Sequence, residues 1–249
     1  MSAADDADAG VMLRYTTLLF DLDHTLLDSD ASHEAAFAAA MCTLGVEAPA
    51  GSAEHFERIN QALWRRVERG ELSPNDVKVR RFAQLLDELG LDGDAEVMGA
   101  AFASGLADHG DLYPGAREVL DHVAGRARLA LVTNGIGSVQ RGRIERLGLA
   151  DYFAAVVISG EVGTSKPGTA IFDLTFEQLA VERAGSVMIG DNLGSDILGG
   201  RNAGIDTVWF NPRGTQIGTA TETEIGADAE VGPIPTHVIT SLDELRALV

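Results

Sequence analysis

A single cysteine, Cys42, leaves the chain without an intrachain disulfide, so its stability has to come from packing, as in a protein of a reducing compartment. That lone thiol is expected to be a small apolar core residue. Basic side chains are scarce, with 19 lysines and arginines against 38 aspartates and glutamates and a formal net charge of -19. Such a field repels phosphate polymers and anionic lipid, which argues against nucleic acid and membrane surfaces as partners. Lysine is nearly absent, being confined to Lys78 and Lys166. No apolar run approaches the roughly 18 to 20 residues needed to span a bilayer. The acidic, alanine-rich start MSAADDADAG has neither the basic nor the apolar region of a signal peptide, so residues 1–12 are expected to be a disordered tail and the protein cytoplasmic.

What is present is a pattern of short apolar runs and amphipathic segments. Leu18-Leu19-Phe20 reads as a buried parallel strand that ends in Asp21-Leu22-Asp23-His24-Thr25. Four helical stripes follow, carried by Phe37, Ala40, Met41 and Leu44, by Phe56, Ile59, Leu63 and Val67, by Phe82, Leu85, Leu86 and Leu89, and by Met98, Ala101 and Phe102. Ser73-Pro74-Asn75-Asp76 is a helix start, and Gly70 and Gly90 suit helix ends. From Tyr113-Pro114-Gly115 onward, apolar strands at 129–132, 155–158, 187–190, 207–210 and 237–240 alternate with helical patterns. This alternation predicts an α/β fold, a doubly wound parallel sheet covered by helices on both faces. Residues 13–28 and 112–249 would form this Rossmann-like core, and residues 29–111 a four-helix insertion after its first strand. An insertion there lies over the carboxyl ends of the strands, where open α/β sheets bind ligands. The acidic stretch from about Thr215 to Pro235 reads as a long surface loop.

The strand ends carry the chemistry. The first supplies Asp21 and Asp23, the second Val132-Thr133-Asn134-Gly135, the fourth Gly190-Asp191-Asn192-Leu193-Gly194-Ser195-Asp196, and Ser165-Lys166-Pro167 lies between them. Four carboxylates in one partly buried pocket cannot all remain ionised without compensation. A hard divalent cation with oxygen ligands, Mg²⁺ above all, meets that need together with Lys166. The six scattered histidines and single cysteine show no zinc-ligand spacing. Asp196 could instead cap a short helix beginning near Ser195. Trp64 is expected mainly to pack within the insertion, His24 to fill its turn, and Asp28, Ser29 and Asp30 to be loop and N-cap residues.

Those four ordered segments resemble the motifs of the haloacid dehalogenase superfamily, and the helical insertion with the Tyr113-Pro114-Gly115 re-entry is similar to its branch with a helical cap after the first motif. The resemblance implies an aspartyl-phosphate mechanism, with Asp21 as nucleophile and Asp23 as general acid and base. Thr133, the Asn134 backbone amide and Lys166 would hold the phosphoryl group. Mg²⁺ would be bound by Asp21, the Asp23 carbonyl, Asp191 and Asp196, the last through water or as a partner of Lys166. Dehalogenases of the superfamily lack an aspartate at the Asp23 position, so the second acid points to phosphomonoester hydrolysis. Segments 158–167, 195–204 and 63–72 resemble pyrimidine 5′-nucleotidases and also N-acylneuraminate-9-phosphatases. The expected substrate is therefore a small phosphorylated metabolite: a nucleoside 5′-monophosphate, or alternatively a sugar phosphate or acylneuraminate 9-phosphate. A phosphosugar mutase stands behind these, and a non-catalytic phospho-ligand sensor is disfavoured because both acids are intact.

Overall fold

The computed structural model describes residues 15–46, 48–215 and 233–249. The tail expected over residues 1–12 and most of the acidic loop lie outside these residues. The elements, in chain order, are β1 (Thr17–Phe20), β2 (Leu27–Asp28), α1 (Asp30–Cys42), α2 (Ser52–Glu68), α3 (Pro74–Leu89), α4 (Ala95–Asp108), β3 (Asp111–Leu112), α5 (Ala116–Val123), β4 (Arg128–Thr133), α6 (Gly137–Arg146), β5 (Ala155–Ile158), α7 (Ser159–Val162), α8 (Thr169–Leu179), β6 (Ser186–Gly190), α9 (Leu198–Asn202), β7 (Asp206–Phe210) and β8 (His237–Ile239).

Six strands form one parallel sheet in the order β5-β4-β1-β6-β7-β8. β1 lies at its centre and is buried along its whole length, which is why its sequence is a continuous apolar run rather than an alternating one. The order reverses between β4 and β6 on either side of β1, so the crevice at the carboxyl ends opens at Asp21. One face of the sheet packs Leu18, Phe20, Leu131, Val187 and Ile189 against α5 and the C-terminal segment. The opposite face packs Leu19, Ala130, Val132 and Met188 against α8 and its flanks. The sheet is thus doubly wound.

The insertion α1–α4 has its own core, in which Phe56, Phe82 and Phe102 pack together with ring centroids 5.0–5.5 Å apart, Phe56 stacked on Phe82 and Phe102 tilted or edge-on to them. The buried Arg81 guanidinium lies 4.1 Å from the Phe102 centroid, a cation–π contact within that core. Ser73 and Asp76 cap α3 reciprocally, with Pro74 opening the helix. The chain enters and leaves the insertion through β2 and β3, an antiparallel pair joining Leu27 to Leu112 and Asp28 to Asp111. Ile136 and Val139, from the start of α6, extend the insertion's apolar cluster, so it rests on the sheet module rather than standing apart.

Cys42 corrects the core placement expected of it. The buried positions of α1 are Ser32, Ala36, Ala40 and Met41, and Cys42, the last helical residue, turns off that stripe and is exposed. No helix among the described residues is long and apolar enough to cross a membrane.

Candidate active site

The site begins where β1 stops. Asp21 continues the strand for one more residue, its amide donating to Ile189 O at 2.9 Å, and its buried carboxylate emerges between the ends of β4 and β6. Asp191 follows β6 directly. Asp196 lies on a short π-helical turn, Leu193–Ile197. Its Oδ2 accepts from the Asn192 amide at 3.0 Å, while the Asn192 side chain takes the capping position, accepting from the Gly194 and Ser195 amides at 2.8 and 2.9 Å. The turn therefore begins at Leu193, and Asn192 is its cap; Asp196 is freed for the cluster. Gly190 makes room for this, because a Cβ there would lie 2.3 Å from the Asp196 carboxyl carbon.

Lys166 is buried against this acidic floor. Its Nζ donates to Asp21 Oδ1 and to Val132 O, each at 2.7 Å, and lies 2.6 Å from Asp196 Oδ1. The loop that carries it is pinned to the end of β4 by Asn134, whose Oδ1 accepts from the Lys166 amide and whose Nδ2 donates to Lys166 O, both at 2.9 Å. Burial works against the Lys166 charge, but the Asp196 and Asp21 carboxylates override it and raise its pKa. Burial, followed by the charges of Asp196 and Asp21, raises Asp191 well above the ordinary carboxylate value. Asp21 rises for the same primary reason, against the pull of Lys166 and with Asp196 adding to the shift.

Three carboxylates thus face one ammonium. Oxygens of Asp21, Asp191 and Asp196 lie within 4.8 Å of one another, and the buried Asp196 Oδ1, despite its closeness to Lys166, makes no directed hydrogen bond. An oxygen-only donor set with an unanswered negative charge fits a hard divalent cation.

Asp23 is engaged elsewhere. Its Oδ1 accepts from Ser29 Oγ and from Arg143 Nη1, each at 2.6 Å, and its Oδ2 accepts from Gln140 Nε2 at 2.7 Å. Burial would raise its pKa, but Arg143, Ser29 and Gln140 together reverse the shift and hold it well below the usual carboxylate range. Gln140 Nε2 also donates to the hydroxyl of the buried Thr133 at 2.8 Å, linking the two strand ends. Ser29 precedes α1 yet makes no capping bond there; its hydroxyl serves Asp23 instead of the helix. Sequence reasoning did not single out Gln140 and Arg143. Their only trace in the sequence is two polar side chains three residues apart on the helix that opens just after Val132-Thr133-Asn134-Gly135; that both are buried is a property of the fold.

A cavity of about 560 Å³ separates the site from the insertion, with Glu57, Gln61, Trp64, Arg65 and Glu68 of α2 on one wall and Asp191, Asn192, Trp209 and Arg213 among the residues facing them. Trp64 packs partly against the insertion core and also borders this cavity. Trp209 Nε1 donates to Asp191 O at 2.7 Å, fixing the loop that carries the Asp191 carboxylate. His24 adopts a left-handed backbone conformation with φ of 56°, a tight turn that sends the chain back toward Leu27.

Known proteins resemble this chain in both sequence and fold. Residues 18–210 match the family described as haloacid dehalogenase-like hydrolase. The chain is 37% identical over 200 residues to the pyrimidine 5′-nucleotidase PynA of Streptococcus pneumoniae, covering 80% of this chain and 84% of that protein. It is 31% identical over 239 residues to the pyrimidine 5′-nucleotidase YjjG of Escherichia coli, covering 95% and 98%. The magnesium-bound crystal structure of the HAD-hydrolase YfnB of Bacillus subtilis, described as revealing interdomain movement, superposes with a TM-score of 0.83 at 30% identity over 94% of this chain and 99% of that one. A central parallel sheet with a helical insertion after its first strand, and a family match spanning every strand end that carries the site, make one assignment: the chain is a hydrolase of the haloacid dehalogenase-like family.

Proposed function

We propose that the chain is a Mg²⁺-dependent phosphomonoester hydrolase acting on nucleoside 5′-monophosphates through a phosphorylated Asp21. The observation that carries this reading is the convergence of Asp21, Asp191, Asp196 and Lys166 at the carboxyl edge of the sheet, beneath a cavity walled by the insertion. The nucleotidase relatives favour the nucleotide, and the cavity is roomy enough for one.

A carboxylate oxygen of Asp21 attacks phosphorus as the bond to the leaving oxygen breaks; Asp23, once released from Arg143, Ser29 and Gln140 and protonated from solvent, gives that oxygen its proton. In the second half Asp23 takes a proton from water, the water oxygen attacks phosphorus, and Asp21 leaves as a carboxylate with release of inorganic phosphate. Lys166 balances charge between Asp21, Asp196 and the phosphoryl oxygens, while the Thr133 hydroxyl and the Asn134 amide orient the group. Asp21, Asp191, Asp196 and the Asp23 carbonyl would hold Mg²⁺, which when bound neutralises the negative charge that builds on the phosphoryl oxygens. Residues 29–111 act as a cap that excludes water while substrate is bound.

An initial-rate screen with Mg²⁺, and with chelator as control, over pyrimidine and purine nucleoside monophosphates, sugar phosphates, phosphoglycolate and acylneuraminate 9-phosphate tests the proposal. Pyrimidine monophosphates are expected to give the highest kcat/KM. A preference for acylneuraminate 9-phosphate or a sugar phosphate would move the substrate while keeping the chemistry, and no phosphate release from any of them would overturn both.

A further inference from the structure

The three donors on Asp23 raise a mechanical question, because the acid must reach the leaving oxygen. With Oδ1 accepting from Ser29 and Arg143 and Oδ2 from Gln140, both oxygens are held as acceptors, and the group has to give up at least one of these bonds to carry a proton to the leaving oxygen. What holds it is tied to the insertion. Arg143 sits on α6 of the sheet module, and its side chain is 2% exposed. Its Nε donates to Leu106 O on α4 at 2.8 Å, and its Nη2 donates to Ser32 Oγ on α1 at 3.1 Å. Ser32 in turn donates to Ser29 O at 2.8 Å, and Ser29, which grips the other side of Asp23 Oδ1, stands where the chain passes into the insertion.

We propose that Arg143 is a positioning residue that couples the insertion to Asp23, keeping the carboxylate held as an acceptor until movement of α1 and α4 across α6 loosens its grip. The planar guanidinium is well shaped for such a link, because one side chain spans three directions with fixed geometry, and a shift of α1 or α4 against α6 cannot leave the Asp23 contact untouched. A substrate large enough to engage the cavity wall on α2 would move the insertion and release the acid, whereas a small ester would not. The coupling rests on the acid–base role proposed above for Asp23. The plainer alternative is that Arg143 only braces the junction between the two modules.

Two substrates with alkoxide leaving groups separate these alternatives: UMP, which can reach the insertion, and methyl phosphate, which cannot. Replacing Arg143 by Met is expected to lower the kcat ratio of UMP to methyl phosphate at least tenfold, with methyl phosphate turnover raised because the acid is no longer held back. Arg143→Lys keeps the charge but not the three-way reach, and is expected to give the same loss of ratio. Ser29→Ala, which removes one grip and leaves Arg143 in place, is expected to shift the ratio in the same direction by less. Equal losses for both substrates in all three variants, or restoration of the ratio by Lys, would overturn the coupling. Independently of activity, a double-mutant cycle between Arg143→Met and Asp23→Asn, read from denaturant midpoints of the protein without substrate, is expected to be non-additive, and additivity would also overturn it. Should the wild type hydrolyse neither substrate, the phosphatase reading fails and the coupling loses its catalytic meaning, while the cycle still reports the ion pair.

Discussion

At the scale of single residues, the site is a problem of charge. Burial raises Asp21 from 3.8 to about 7, against Lys166 and with help from Asp196, and Asp191 rises likewise. Without metal, the folded protein therefore holds protons on this cluster more tightly than the unfolded chain does. The stability from that source is fully present below the unfolded carboxylate pKa and is lost as pH rises toward 7. A divalent cation replaces those protons, so the gap between melting temperatures in Mg²⁺ and in chelator is expected to widen between pH 5 and 7.5; a gap that does not change with pH would contradict the cluster's role. Gly190→Ala would drive a Cβ into the Asp196 carboxyl group and is expected to cost about 1–3 kcal/mol of unfolding free energy in denaturant titration and at least tenfold in kcat. Asp21, Thr133 and Asp191 could be picked out from the sequence because each lies at or directly beyond a strand end, and Asp196 because it shares the segment that follows β6; Lys166, in the loop between α7 and α8, stood out as one of two lysines, beside a proline. Ser29, Gln140 and Arg143 could not, since their meeting with Asp23 spans up to 120 residues of chain and depends on how the insertion docks.

At the scale of elements, close approach decides the arrangement. α1 and α4 touch where a Cβ on Gly105 would lie 2.6 Å from the Ala36 Cα, a spacing that admits glycine alone without separating the helices. Gly105→Val is expected to lower the unfolding free energy from denaturant titration by about 1–3 kcal/mol and, because Arg143 bonds to Leu106 next door, to disturb turnover of large substrates more than of small ones. Alternation of apolar strands with helices was enough to foretell the parallel sheet, since buried parallel strands need continuous apolar runs. The exposure of Cys42 was not, because a helix-end residue obeys the last turn's geometry rather than its own apolarity. Nor was the start of the Leu193–Ile197 turn: Asp196, the cap the sequence suggested, lies within it, and Asn192, four residues earlier, does the capping.

At the scale of the whole molecule, two cores meet over one crevice. The sheet module carries Asp21, Asp23, Lys166 and Asp191, and the insertion supplies the facing wall of the cavity, which on the proposed function a substrate's larger part would meet. Trp64→Ala is accordingly expected to raise KM for pyrimidine monophosphates about tenfold while leaving kcat for methyl phosphate unchanged, because an aromatic side chain bordering the cavity contributes to binding a base and not to the phosphoryl step. Equal effects on both substrates would assign Trp64 to packing alone. The central claim is that Asp21 attacks phosphorus beside a bound divalent cation. Its most direct measurement is phosphate release from UMP in Mg²⁺ by the wild type and by Asp21→Asn at equal folded concentration. Turnover by the wild type and none above background by the variant is the expected result, and comparable turnover by both would contradict it.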